Sequence, residues 1–156
     1  MGPKKNALRA LLLDDDRYAL DLLRAMLVER YPGMDIHTRL TPDPTGEYDL
    51  FFLDDDFGGT RMAAEMARRI REDHPEAIVL AFSAKLEAHT LRELLDAGCN
   101  GVSDKQVPAD MPEMFNALDR CVEKLRDKRE NAALIGTPRP LFREWNRRLD
   151  DQSKAA

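Results

Sequence analysis

Short apolar runs that stop at acids, a hydroxyl or a lysine alternate along this chain with stretches whose apolar residues recur every three or four positions. Residues 7–13 are apolar except for Arg9 and end at Asp14-Asp15-Asp16, which reads as a first strand. Leu20, Leu23, Leu27 and Val28, with Leu22 and Met26 beside them, then keep helical spacing until Tyr31-Pro32-Gly33. Residues 34–40 alternate weakly around Ile36 and Thr38 and predict a second strand. The run at 49–53 predicts a third, leading into Asp54-Asp55-Asp56 and then Phe57-Gly58-Gly59. A helix follows on Met62, Met66, Ala67 and Ile70 and closes at His74-Pro75. Residues 77–82 predict a fourth strand ending at Ser83, then comes a helix on Leu86, Leu91, Leu94 and Leu95 up to Gly98. Residues 101–103 give a short fifth strand before Asp104-Lys105, and Met114, Phe115, Leu118, Val122 and Leu125 mark a last long helix.

Strands alternating with helices predict an α/β domain, a parallel sheet wound by right-handed crossovers. The simplest form is the flavodoxin-like, doubly wound, five-stranded sheet in the order 2-1-3-4-5. Between the second and third strands only residues 41–48, Thr-Pro-Asp-Pro-Thr-Gly-Glu-Tyr, are available. Eight extended residues reach about 27 Å, enough to return along one strand of roughly 20 Å but not to form a helix on the way. The helix between strands 2 and 3 is therefore expected to be missing or reduced, with an apolar patch left bare on the sheet near the first two strands.

The net charge of −5 provides no basic field for nucleic acid or an anionic membrane, and the apolar runs are too short to span a bilayer. The composition points to a soluble, cytoplasmic protein. Cys99 and Cys121 form no ligand cluster, and His37, His74 and His89 share no spacing with acids or cysteines.

The chemistry lies where the strands end. Asp14 and Asp15 close the first strand, Asp54 the third, Ser83 the fourth and Lys105 the fifth, so all share the carboxyl rim where open α/β sheets bind ligands. In the order 2-1-3-4-5 the first and third strands are neighbours, which gathers Asp14, Asp15 and Asp54. Two such charges ~4 Å apart repel by roughly 4 kcal/mol at an effective dielectric of ~20, so a cation is expected among them. Oxygen-only donors favour Mg²⁺ over zinc. A carboxylate so placed can attack a phosphoryl group in line, with the metal, Lys105 and the Ser83 hydroxyl neutralising charge on its oxygens. Taken one at a time, the acidic runs are also what a helix cap or a solvated loop would supply.

Leu-Leu-Leu-Asp-Asp-Asp, Tyr-Asp-Leu-Phe-Phe-Leu-Asp, Ala-Phe-Ser-Ala-Lys and Ala-Gly-Cys-Asn-Gly-Val-Ser-Asp-Lys, in this order, resemble the receiver domain of two-component response regulators. The resemblance implies that Asp14 and Asp15 bind Mg²⁺ and that Asp54 accepts a phosphoryl group while sharing the metal. It further implies that Ser83 contacts the phosphoryl group, that Lys105 pairs with it, and that the backbone carbonyl of Asp56 is a further metal ligand. A histidine kinase or phosphotransfer protein would be the donor, and a downstream protein the reader. By the same likeness Asp56 and Lys85 line the path of attacking water. Counting back from Met66 and Ile70 would make Asp55 the acceptor; strand register from Asp49 selects Asp54.

The chain departs from that pattern at Val102, where the family carries Tyr or Phe, and at Gln106, where it carries proline. Residues 7–126 are expected to be the receiver and 127–156 a C-terminal extension. Leu141, Phe142, Trp145 and Leu149 fall on one helical face there, suited to docking at the missing helix, to a homodimer contact or to a linker. Acids interleave with the basic residues of this extension, so no nucleic-acid partner is expected. Two alternatives remain: a pseudo-receiver serving as an interaction or dimerisation module without phosphorylation, and a metal-dependent phosphatase of similar topology, which no second nucleophile or acid supports.

Overall fold

The computed structural model describes residues 7–135, and the stripe Leu141, Phe142, Trp145 and Leu149 lies outside them. Five strands form one parallel sheet: β1 (Arg9–Leu13), β2 (Asp35–Arg39), β3 (Leu50–Asp54), β6 (Ile78–Ser83) and β7 (Gly101–Asp104). Their order is β2-β1-β3-β6-β7, which is 2-1-3-4-5 when only the strands of this sheet are counted. Between β3 and β6 comes a hairpin that the sequence pattern did not reveal, β4 (Asp56–Phe57) against β5 (Thr60–Arg61). Helices α1 (Arg17–Arg30), α2 (Ala63–Asp73), α3 (Ala88–Asp96) and α4 (Asp110–Ile135) complete the described chain. The chain divides into two compact units, residues 1–119 and 120–156; the described part of the second is helical.

The central strands are apolar on both sides because helices cover both sides. In β1, Leu11, Leu12 and Leu13 are at most 1% exposed, as are Phe51, Phe52 and Leu53 in β3. Each such side chain contributes about 1.5–3 kcal/mol by leaving water. Leu11, Leu13, Phe51, Leu53, Val79 and Ala81 share one face with Met66, Ala67 and Ile70 of α2 and Leu94 of α3 in a single core cluster. The helical stripes are narrower than their sequences suggest. In α1 only Leu20 and Leu27 are buried, whereas Leu22, Val28 and, on α3, Leu95 stand largely exposed.

Helix boundaries follow local chemistry. Asp16 caps α1, its carboxylate accepting from the Tyr18 amide at 2.9 Å. At the other end Tyr31 closes the last turn onto Leu27, and Gly33 takes a positive φ of 106°. Arg30 and the Tyr31 hydroxyl both reach Asp119 of α4, which ties the end of α1 to α4.

Residues 41–48 contain no helix. The bare apolar patch expected beside them is not there, for two reasons. Strand register sets Asp35, His37 and Arg39 of β2 beside Arg9, Leu11 and Leu13, so the edge strand turns polar side chains to that face. Tyr48 then folds over it, 8% exposed, with its hydroxyl 3.1 Å from His37 Nδ1 and the guanidinium carbons of Arg9 and Arg39 at 4.9 and 5.8 Å from its ring centre. An alternating edge strand and one aromatic ring do the work of the absent helix.

Candidate functional site

Parallel strands from a doubly wound sheet deliver their last residues to one rim, and here β1 and β3 are direct neighbours. Asp14, Asp15 and Asp54 each offer a carboxylate oxygen within 4.8 Å of the others. Lys105, just past β7, reaches across: its Nζ lies 2.5 Å from Asp54 Oδ1 and 3.3 Å from Asp14 Oδ2. Each acid also holds a backbone donor. Asp14 accepts from the Asp16 amide at 2.9 Å, Asp15 from Gly58 at 2.8 Å and Asp54 from Asp56 at 3.1 Å.

The electrostatics are lopsided. Burial pushes the Asp14 and Asp54 carboxyls above their ordinary values, and Lys105 and the backbone donors offset this only in part. Burial works against the charge on Lys105 too, yet its bond to Asp54 and the two nearby acids outweigh that and hold its ammonium above the ordinary value. One cation serving two buried acids gains more than either acid does. An apolar cavity of about 240 Å³, bounded by Leu20, Leu23, Met26, Phe52, Phe82 and Met111, abuts Asp54 and Lys105 and keeps the surroundings poorly polarisable.

The two acidic triplets separate into distinct jobs. Asp16 is the α1 cap described above. Asp55, 5% exposed, turns away from the cluster: its carboxylate accepts from Arg61 Nε at 3.0 Å and from the Ala63 amide at 3.2 Å. Asp56 is exposed, and its carboxylate accepts from Gly59 at 2.7 Å. Ser83 is buried at the end of β6, beside the site, with its hydroxyl donating to the Lys85 carbonyl at 3.2 Å. Lys85 itself is exposed and pairs with Glu87 at 3.7 Å. Thus Asp14, Asp15, Asp54 and Lys105 converge, Ser83 stands at the same rim turned to its own loop, and Asp56 is engaged in the hairpin.

The donor set suits a hard divalent cation. It is all oxygen, it offers more negative than positive charge, and its carboxylates retain lone pairs beyond those used by the backbone donors.

No protein-family model matches the chain, and neither does the sequence of any curated protein. Solved structures do match. The BeF3-activated receiver domain of DrrB, a Thermotoga maritima protein, is similar at TM-score 0.63 and 20% identity, over 75% of this chain and 98% of that one. A CheY-like receiver domain protein from Methanospirillum hungatei JF-1 is similar at 0.62 and 19%, over 80% and 98%. TrrA from Thermotoga maritima, in complex with Mg²⁺-BeF, is similar at 0.56 and 26%, over 76% and 98%. The chain has the fold of response regulator receiver domains, with an acidic pocket at the carboxyl rim of its sheet. No helix among the described residues is long and apolar enough to cross a membrane.

Proposed function

We propose that residues 7–126 act as a Mg²⁺-dependent phosphoacceptor, with Asp54 the accepting carboxylate and a histidine kinase or phosphotransfer protein the donor. The observation that carries this reading is the convergence of Asp54, Asp14, Asp15 and Lys105 at one rim of a receiver fold. An Asp54 oxygen attacks phosphorus in line, and the bond from phosphorus to the donor's nitrogen breaks as the nitrogen keeps its electron pair. Lys105 is already within reach of Asp54 and compensates charge developing on the transferred oxygens. The Ser83 hydroxyl would leave the Lys85 carbonyl to donate to one of those oxygens. Asp14, Asp15 and Asp54, with the Asp56 carbonyl, would hold Mg²⁺, which would supply further neutralisation of that charge. The acyl phosphate would be lost by slow hydrolysis, with Asp56 and Lys85 lining the path of water. The protein is a switch rather than a turnover enzyme. Its site would work in the cytoplasm, and output would pass through a protein partner or a homodimer, with residues 127–156 an extension to the receiver.

A second reading has its own support. Val102, partly buried against the core, stands in the aromatic position of the resemblance, which favours a pseudo-receiver that binds partners without phosphorylation. Acetyl phosphate with Mg²⁺, followed by intact mass, separates the two. The phosphoacceptor gains one phosphoryl mass, which Asp54→Asn abolishes and Asp55→Asn retains. A wild-type chain that stays unmodified under these conditions while binding Mg²⁺ sinks the first reading.

A further inference from the structure

The hairpin β4–β5 is unlike a solvated loop, because it is held at its base, through Phe57 and at its tip. Its two-residue turn is Gly58-Gly59 with φ of 62° and 88°, the left-handed pair that a tight two-residue hairpin demands. At its base, Arg61 Nε donates to the buried carboxylate of Asp55 at 3.0 Å, and Arg61 Nη2 lies 3.3 Å from Glu93 of α3. Phe57 is 9% exposed and sits in the core cluster. At its tip, the Gly58 amide donates to Asp15 Oδ2 at 2.8 Å, across 43 residues of chain.

Asp15 is otherwise exposed, and Gly58 is the donor that fixes its carboxylate. Asp14 and Asp54, by contrast, are buried and also share Lys105. The acid of the cluster with the greatest freedom is thus the one the hairpin holds. A carboxylate oxygen that accepts one amide keeps lone pairs for a cation, so the bond orients the ligand without using it up. Partners that orient a metal ligand typically govern affinity about 10- to 100-fold.

We infer that Arg61 is a positioning residue for divalent-cation binding, acting through the hairpin to hold Asp15 in place although it touches no part of the acid cluster. This rests on the reading of Asp14, Asp15 and Asp54 as cation ligands. The chain of contacts runs from Asp55 to Arg61, through the hairpin strands to Gly58, and on to Asp15. Cation binding and hairpin order are therefore coupled in both directions.

The test is calorimetric Mg²⁺ titration of the full chain, with amide hydrogen exchange over residues 56–61. Arg61→Gln should weaken Mg²⁺ binding about 10-fold, and Arg61→Lys should recover part of it. Mg²⁺ should slow exchange at Gly58 in the wild type and less so in Arg61→Gln. A folded Arg61→Gln that binds Mg²⁺ as the wild type does overturns the inference. Should Arg61→Gln fail to fold, the metal-free chain still decides: Asp15→Ala must speed Gly58 exchange several-fold, and an unchanged rate overturns the clasp. A wild-type chain that binds no Mg²⁺ at all refutes the cation reading itself, a result distinguishable from the others.

Discussion

Tyr48 and His37 meet edge to face with ring centres 5.4 Å apart, joined by a 3.1 Å hydrogen bond between the phenol and Nδ1. Asp35 holds the other ring nitrogen of His37 at 3.1 Å. This pair stands where a crossover helix would otherwise cover the sheet, and the fold at this edge depends on it.

Truncating Tyr48 should therefore cost what a core aromatic costs. Tyr48→Ala is expected to lose about 3 kcal/mol in urea unfolding, and Tyr48→Phe only about 1 kcal/mol, because the ring stays and one hydrogen bond goes. Gly46→Ala should also destabilise, since its φ is 124° and a Cβ there would sit 2.6 Å from the Tyr48 ring. Equal losses for Tyr48→Ala and Tyr48→Phe would mean that the hydrogen bond, not the ring, covers the sheet.

Neighbouring aspartates should respond to substitution with opposite signs. Burial makes the charge on Asp54 unfavourable in the metal-free chain, so Asp54→Asn should raise the urea midpoint. Asp55→Ala leaves Arg61 Nε and the Ala63 amide without their acceptor and should cost roughly 2 kcal/mol. Shifts of the same sign in both variants would contradict the division of labour between the two acids.

Acidity and Mg²⁺ should oppose each other. Asp14 and Asp54 have folded values raised above 3.8, so as pH rises from there the unfolded chain releases these protons before the folded chain does. Their contribution to metal-free stability is full below 3.8 and declines as pH passes through the raised values. A cation binds the ionised form, so stabilisation by Mg²⁺ should grow over the same interval. Melting curves from pH 4 to 8, with and without Mg²⁺, should diverge; parallel curves would argue against cation binding by these two acids.

At the C-terminal end of α1 the sign reverses. Hydrogen bonds from Arg30 and Tyr31 hold the Asp119 carboxyl down at about 2. Its contribution is present above 3.8 and is lost as pH falls toward about 2. Asp119→Asn should flatten the acid limb of the stability curve in that interval, by a small amount because the group is largely solvated. An unaltered acid limb would remove Asp119 from the account.

Ser103 is 1% exposed, and its hydroxyl has no hydrogen-bond partner among the described residues. A buried hydroxyl left unpaired is costly, so Ser103→Ala should stabilise the chain by about 1 kcal/mol in chemical denaturation. A loss of stability instead would point to a partner that pairs with this hydroxyl.

The sheet order and the acid cluster were legible because they rest on one strong signal, apolar runs that stop at charged residues, combined with the fixed geometry of parallel crossovers. Strand register from Asp49 selects Asp54 over Asp55, although counting back from the helix stripe gives Asp55. Asp55, the residue between β3 and β4, serves Arg61 and the Ala63 amide instead. The hairpin was missed because strands of two residues are too short to alternate, although Gly58-Gly59 between Phe57 and Thr60 was a usable turn signal. A missing helix alone implies a bare patch; the side chains that β2 turns to that face remove it. Asp35, His37 and Arg39, every second residue, carried the answer. The Asp119 contact joins residues 89 apart in sequence, and no local pattern announces it.

Lys105 brings a single ammonium to a corner shared by three carboxylates, two of them buried. Such a corner is never at ease by itself. Burial is what weighs on those two acids, so a doubly positive ion placed there would relieve a cost the fold already carries, and the same dryness that strains the corner would favour its guest.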